Sequence, residues 1–469
     1  MILSFNFFRK TVISILSFWV VGSLQGQVQV QHLSLKDAVQ IALNNYPSIK
    51  AKTNYSKASK ATVLQTRKEA LPNLILSFQQ DYGTVNGQNG PSYGLGGFGV
   101  ASSGLALPDQ NWNAGFGALY LTNINWEVFT FGRTRERIKL AESFSTIQEN
   151  DLQQEQFQQK IKVAAAYLNL LAAQRFTLSQ QSNLNRADTI RLVVKARAMN
   201  GLIAGVDSST TNAEVSNARI ALLRAKEAEQ QRAVELAQLM GVPSQNFALD
   251  TLFITKIPLA FSDTAMAIKH PLITWYQSRI TASTQQSKYF KTLKYPSLSL
   301  FGVFQTRGSG FQSNYATDQK AYNQNYWSGI NPTRLNYLLG LGLTWNLTSL
   351  LRVKQQVASQ NYISAALQNE FELVDQQLKA QVDLAETRIN IAVDNFNEVP
   401  VQIKAATEAF IQRRVLYTNG LANITEMTQS LYLLNRAETD RDIAYSNVWQ
   451  ALLLKAAATG NFALFINEF

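Results

Sequence analysis

With 469 residues, 46% of them apolar, the chain has enough material for a large core, and length alone suggests two or three domains. It has no cysteine, which removes disulfide frameworks, thiolate metal sites and cysteine nucleophiles, and with only two histidines, His32 and His270, a multi-histidine metal site or a histidine-based triad has almost nothing to be built from. A formal net charge of +11 points to nucleic acid, an anionic membrane surface or acidic cargo, and the location of the cations must separate these.

The first element is a predicted signal peptide, residues 1–26. Arg9 and Lys10 precede an apolar run from Thr11 to Val21, and Gly22, Ser23, Gln25 and Gly26 follow it. The run is shorter than the roughly 18 residues a membrane anchor requires. No cysteine stands near the cleavage point, which excludes lipoprotein-type lipidation. No later segment is apolar enough for a spanning helix, so the mature chain crosses a membrane, if it does, as a barrel.

Residues 27–241 and 265–460 read as two copies of one unit, joined by a linker at 242–264 and followed by a tail at 461–469. Pro47 and Pro72 are 25 residues apart, as are Pro271 and Pro296. Trp126, Arg133, Gly201 and Gly241 recur at Trp345, Arg352, Gly420 and Gly460, each by an offset of 219. In each unit the order is helix, strand, strand, long helix, return helix. Ser34 and Asp37 form a capping-box-like start, and Pro47 breaks that helix and opens the next. After Pro72 a strand pair is expected over about 73–130. There Phe116, Ala118, Tyr120, Ile124, Trp126 and Val128 share a face.

Arg133 to Gly201 is 68 residues without proline, about 100 Å of helix. Asp207 to Gly241 and Pro47 to Pro72 give about 50 Å and 37 Å, so the two shorter helices could stack end to end beside the long one. Apolar residues at Ile161, Ala164, Leu168 and Leu171, at Val215, Ala218, Leu222 and Ala225, and at Ile424, Met427, Leu431 and Leu434 keep the spacing of coiled-coil seams. In the second copy a strand pair is expected over about 297–348, with Leu335, Tyr337, Leu339, Leu341, Leu343, Trp345 and Leu347 on one face. Such alternation fits an outer-membrane barrel and a half-buried soluble sheet equally well. The loops inside the strand pairs are too polar and glycine-rich to be core. One of them carries Gly94, Gly96 and Gly99 in a dinucleotide-type pattern, but no helix follows it, so that function is rejected. The fold class is therefore mixed and mainly α: long coiled-coil-like hairpins with four strands per chain.

The segments "LSLKDAVQIALNNYP", "LPNLILSF", "FGRTRERIKLA" and the two tails beginning "GLIAGVDSS" and "GLANITEMT" resemble the TolC family of bacterial outer-membrane efflux and secretion ducts. The resemblance covers essentially the whole mature chain. It implies a homotrimer in the outer membrane of a Gram-negative-type cell, with a shared 12-stranded barrel above a periplasmic helical tube. It also implies a periplasmic adaptor and an inner-membrane pump as partners, with no cofactor and no catalytic residue. Closure by three chains removes sheet edges that would be costly in lipid.

At the tip, the resemblance implies that Asp207 and Glu426, each six residues past its glycine, ring the pore; the plainer reading is that they serve their helix starts. Gln429 stands where the family commonly has a further acid. Ala422 replaces a common arginine. Tyr417 matches a tyrosine used in contacts between coils, and Gly201, Leu202, Gly420 and Leu421 mark the adaptor-docking turns. His32 and His270 are read as incidental. Removing the signal leaves +9, and four basic windows at Lys60–Glu69, Arg133–Lys139, Lys288–Lys294 and Arg352–Lys354 total +10. They lie where helices meet strands. Lys288, Lys291, Lys294, Arg133, Arg135 and Arg352 are thus read as a collar for anionic lipid headgroups, not nucleic acid. The functional reading is a passive efflux outlet. A type I secretion outlet, a non-conducting coiled-coil spacer and a secreted helical bundle remain as alternatives.

Overall fold

A computed structural model describes residues 31–87, 105–251, 253, 256–258 and 270–468. The signal segment, the Gly94–Gly96–Gly99 motif and much of the linker lie outside the described residues. In chain order the elements are β1 (Gln31–Leu33), α1 (Leu35–Asn45), α2 (Pro47–Lys68), β2 (Asn73–Thr84), β3 (Ala114–Phe129), α3 (Arg133–Met199), α4 (Gly205–Met240) and β4 (Phe247–Leu249). Then come α5 (Pro271–Thr292), β5 (Ser297–Ser309), α6 (Tyr326–Ile330), β6 (Arg334–Thr344), α7 (Ser349–Thr418), α8 (Ile424–Thr459) and α9 (Ala463–Ile466). Among the described residues no helix is long and apolar enough to cross a membrane.

The 67 residues of α3 and the 70 of α7 set a long axis of about 100 Å. Pro400 lies inside α7 and does not end it. Proline removes one ladder donor and costs about 3 kcal/mol, a local loss that a helix packed along its length absorbs.

The duplication reappears as matched contacts. Ser59 and Ser145 hydroxyls meet at 3.1 Å, and Ser283 and Ser364, displaced by 224 and 219 residues, meet at 2.7 Å. Trp126 donates its indole N–H to the Ala70 carbonyl at 2.9 Å, and Trp345 donates to Lys294 at 3.1 Å. Gly241 and Gly460, at φ +68° and +74°, end the return helices against Asn45–Tyr46 and His270. A Cβ at Gly460 would stand 2.7 Å from the His270 Cα, so glycine is required there for close approach as well as for backbone freedom. These contacts produce the end-to-end stacking of α4 on the α1–α2 junction.

The main core lies where the two repeats meet. Leu35, Ala38, Val163, Tyr167, Leu170, Leu236, Met240, Phe253, Trp449, Leu452 and Phe465 are buried together there. The Tyr167 hydroxyl donates to Leu33 and accepts from Asp250, both at 2.9 Å, and burial pushes its pKa up to about 12. The parallel pair β1–β4, which sequence pattern did not predict, joins the start of the first repeat to the linker that follows it at this level. Of the predicted seam positions, all but the partly buried Ile161 are buried.

At one end of the long axis the sheet runs β2–β3–β5–β6, antiparallel throughout, with β2 and β6 as edges. Register gives cross-strand rows Leu74–Ile124–Gly302–Leu339, Leu76–Thr122–Phe304–Tyr337 and Phe78–Tyr120–Thr306–Leu335 on one face. The alternate rows, such as Ser77–Leu121–Gln305–Asn336 and Gln79–Leu119–Arg307–Arg334, are largely polar. One face is thus predominantly apolar and the opposite one mixed, with most of the sheet's polar side chains but also the row Ile75–Asn123–Val303–Leu338, and the apolar side chains of β2 and β6 are exposed in the single chain. The segment 310–333, expected to be non-core loop, corrects that reading: Tyr315, Ala321 and Ile330 are buried in it.

Candidate functional site at the helical tip

The opposite end of the axis holds both long-helix turns, built alike. Gly201 N–H donates to Ala198 and Leu202 N–H to Arg197, each at 3.0 Å. Gly420 N–H donates to Tyr417 at 3.1 Å and Leu421 N–H to Leu416 at 2.9 Å. Both are Schellman stops, with glycine at φ +70° and +74°. In that motif the residue after the glycine usually packs back on its helix, but Leu202 and Leu421 are 67% and 74% exposed.

The return helices start differently. Asn423 caps α8 by accepting from the Glu426 N–H at 2.8 Å, and its amide donates back to Glu426 Oε1 at 3.3 Å. Arg413 of α7 donates to Glu426 Oε2 at 2.6 Å. Glu426 is therefore both a cap partner and half of an ion pair. α4 has no side-chain cap, so Asp207, half-buried in its first turn, does not cap its helix. Gln429 is exposed on α8.

Tyr417 is buried, packed with Ile190, Val194, Val215, Phe410, Ile424 and Met427. Its hydroxyl is buried without a hydrogen-bond partner. Burial, and secondarily the Asp207 charge, raises its pKa, with Arg197 opposing. Arg197, from the end of α3, donates to the Tyr417 carbonyl at 2.9 Å and the Thr418 carbonyl at 3.3 Å, and lies 5.5 Å from the centre of the Tyr417 ring. It thus ties the first hairpin to the C-terminal end of α7, where a cation suits the helix dipole. Eleven residues back, Arg186 makes two bonds to Glu438 of α8 at 3.1 and 2.7 Å.

The structure brings Asp207, Tyr417 and Glu426 to one end, and it adds Arg197, Arg413 and Arg414, which sequence reading missed. The tip is therefore not simply acidic. The spacing within α7 could have identified Arg413, one helical turn before Tyr417 on an exposed face; Arg197 has no local signal, since its acceptors are carbonyls 220 residues away.

The collar residues divide between the repeats. Arg133 is paired with Glu127 at 2.8 Å, Arg67 with Glu142 at 2.6 Å, Lys60 with Glu149 at 2.7 Å, and Arg137 with Glu69. Lys288, Lys291 and Arg352 are exposed, as is Arg135, while Lys294 lies over the Tyr295 ring. The first repeat thus spends most of its collar cations on acids of its own helices.

His270 has a structural task. Its Nδ1 accepts from the Leu272 N–H, capping α5, and its Nε2 pairs with the Ala457 carbonyl, each at 3.1 Å. Both contacts are met by one neutral tautomer, and burial lowers its pKa. The reading of His270 as incidental is corrected accordingly.

Residues 38–242 match the family described as outer membrane efflux protein. No curated protein sequence matches the chain significantly. Among solved structures, the outer membrane protein VceC from Vibrio cholerae is similar at a TM-score of 0.71 and 17% identity, over 91% of this chain and 96% of that one. The Campylobacter jejuni CmeC outer membrane channel is similar at 0.72 and 14%, covering 91% and 85%. The open-state Neisseria gonorrhoeae MtrE outer membrane channel is similar at 0.67 and 15%, covering 91% and 89%. Residues 38–242 thus match the outer membrane efflux protein family, and the chain as a whole has the fold of outer-membrane channels.

Proposed function

We propose that the chain is the outer-membrane exit duct of a tripartite efflux system, a passive homotrimeric channel that receives cargo from an inner-membrane pump through a periplasmic adaptor. The observation that carries this reading is the four-stranded sheet at the end of helices about 100 Å long: one face is apolar and exposed, and two edges are open. Such a sheet is stable in hydrocarbon only if its edges are paired. Pairing β2 of one copy with β6 of the next closes three copies into 12 strands, with the apolar rows on lipid and the polar rows on the lumen. The exposed Leu202 and Leu421 are apolar contacts suited to the adaptor. Lys288, Lys291 and Arg352 face the headgroup region, each worth about 1 kcal/mol near an anionic surface.

Asp207 and Glu426 lie at the channel mouth in this reading. Because Arg413 neutralises Glu426, Asp207 carries the larger share of cation attraction. In planar bilayers Asp207→Asn is expected to lower cation selectivity more than Glu426→Gln does. Unchanged selectivity in both removes the pore ring, and absence of conductance even after tip loosening favours a non-conducting spacer. A type I secretion outlet would conduct in the same way and is separated by which pump the channel co-purifies with.

A further inference from the structure

The segment between β5 and β6 folds back over the outer face of the sheet. α6 lies against the apolar face near the end farthest from the helices. Tyr326 packs edge-on to Phe116 at 5.2 Å and donates to Gln80 Oε1 at 2.9 Å, and the Tyr120 hydroxyl donates to the Ile330 carbonyl at 3.1 Å. Gln80, Phe116, Ala118, Tyr120 and Gly308 all belong to the apolar-face parity. Ala118 is 5% exposed beneath the cover, and a Cβ at Gly308 would stand 2.7 Å from the Gly329 carbonyl oxygen. Asn325 caps the short helix by accepting from Trp327 and Ser328 N–H groups at 2.9 and 3.3 Å. Small residues on both surfaces and hydrogen bonds between them make this a built cover. Trp327 alone among its large side chains turns away, 73% exposed.

The position of the cover along the wall has a consequence. Along β6 and the residue that follows it, the apolar parity runs from Leu335 to Trp345, ten steps or about 33 Å of extended chain. At a tilt of about 40° that is roughly 25 Å of height, the apolar band of an outer-membrane barrel. Trp126 and Trp345 mark the helix-side limit. Leu335 shares its row with Tyr120, whose hydroxyl meets α6, so the cover begins where the band ends. Below it the wall is lipid-compatible. At its level Gln80, whose Nε2 makes one long bond of 3.5 Å to the Tyr120 hydroxyl, would leave Oε1 without a donor in hydrocarbon, and Tyr326 supplies that donor.

We infer that the α6 cover is a depth stop that seats on the headgroup–acyl boundary of the outer leaflet, with Trp327 inserted into that boundary. Indole suits this layer because its ring is apolar while its N–H needs a polar partner. The inference rests on the barrel proposed above.

The absence of cysteine makes the test direct. Nitroxide labels are placed on Trp327→Cys, Leu339→Cys and Lys320→Cys in the full-length trimer, reconstituted in phosphatidylcholine–phosphatidylglycerol vesicles. Collision with oxygen and with a water-soluble nickel chelate is then measured. Leu339 is expected to be oxygen-rich and nickel-poor, and Lys320 the reverse. Trp327 is expected in between, with nickel collisions several-fold below Lys320. A Trp327 label as open to nickel as Lys320 overturns the inference, and one shielded from both reagents overturns it in favour of cover by a neighbouring subunit. A nickel-open Leu339 label instead overturns the barrel wall itself. With the native indole retained, headgroup-proximal brominated lipid is expected to quench the fluorescence difference between wild type and Trp327→Phe; no quenching counts against insertion.

Discussion

Arg197→Ala is expected to loosen the helical tip without unfolding the protein. The guanidinium makes one good and one long hydrogen bond to the carbonyls of Tyr417 and Thr418 and lies over the Tyr417 ring. A charge-assisted bond is worth about 1.5–3 kcal/mol and a partly exposed cation–π contact about 0.5–1 kcal/mol. Because Arg197 is half-exposed, water replaces part of both, which leaves about 2 kcal/mol per chain. That is roughly a thirtyfold shift per chain in the equilibrium between a tied and a parted tip. The main core lies far along α3, so trimer stability should be unchanged. In planar bilayers the variant is expected to open more often and to reach higher conductance, while Arg197→Lys, which keeps the charge and donors but loses the planar fork, falls between. If Arg197→Ala changes ion selectivity but not open probability, its charge matters in the pore and its bonds do not hold the tip, and the reasoning fails.

Substitutions at two further positions separate ring from hydroxyl and cap from charge. Tyr417→Phe removes a buried hydroxyl that has no partner, so it should alter conductance and heat-induced trimer dissociation by little, under about 0.5 kcal/mol, whereas Tyr417→Ala should cost about 3–5 kcal/mol by cavity formation. A large effect of Tyr417→Phe would show that the hydroxyl is bonded in the trimer. For His270, the folded state holds the neutral ring and its pKa lies below the ordinary 6.5. The unfolded chain therefore binds a proton that the folded chain refuses, and the stability contributed is complete above pH 6.5 and lost as pH falls from there toward the folded pKa. His270→Asn keeps an acceptor for the Leu272 N–H and should flatten this slope in melts between about pH 8 and 5, while His270→Ala should flatten it too and cost about 1 kcal/mol above pH 6.5, with the cost shrinking as pH falls below that. An unchanged slope in His270→Asn would assign it to other groups.

What the sequence made legible follows from the range over which each interaction acts. Periodicity, proline and glycine act within a few residues, so the seams, the Schellman stops at Gly201 and Gly420 and the strand parity were all readable. The duplication added long-range information, because landmarks at offsets of 219 and 224 imply that the same contacts form twice, as the serine pairs and the two tryptophan bonds do. Interactions made only once left no such trace. Arg197, Arg186 and the β1–β4 pair join elements whose sequence neighbourhoods are unremarkable, and nothing local distinguishes them from surface residues.

The packing of segment 310–333 is hidden for a different reason. Its glycines and asparagines have the composition of a solvent loop, although Gly308, Gly310 and Gly329 also permit two backbones to approach where side chains would collide. Glycine in a strand and glycine in the loop that follows it, both facing the same wall, were the available sign of a loop folded down onto its own sheet. In a barrel that sign carries mechanical meaning: a loop that covers the upper wall removes those rows from lipid, so the height of the apolar band is set by the cover as much as by the strands beneath it.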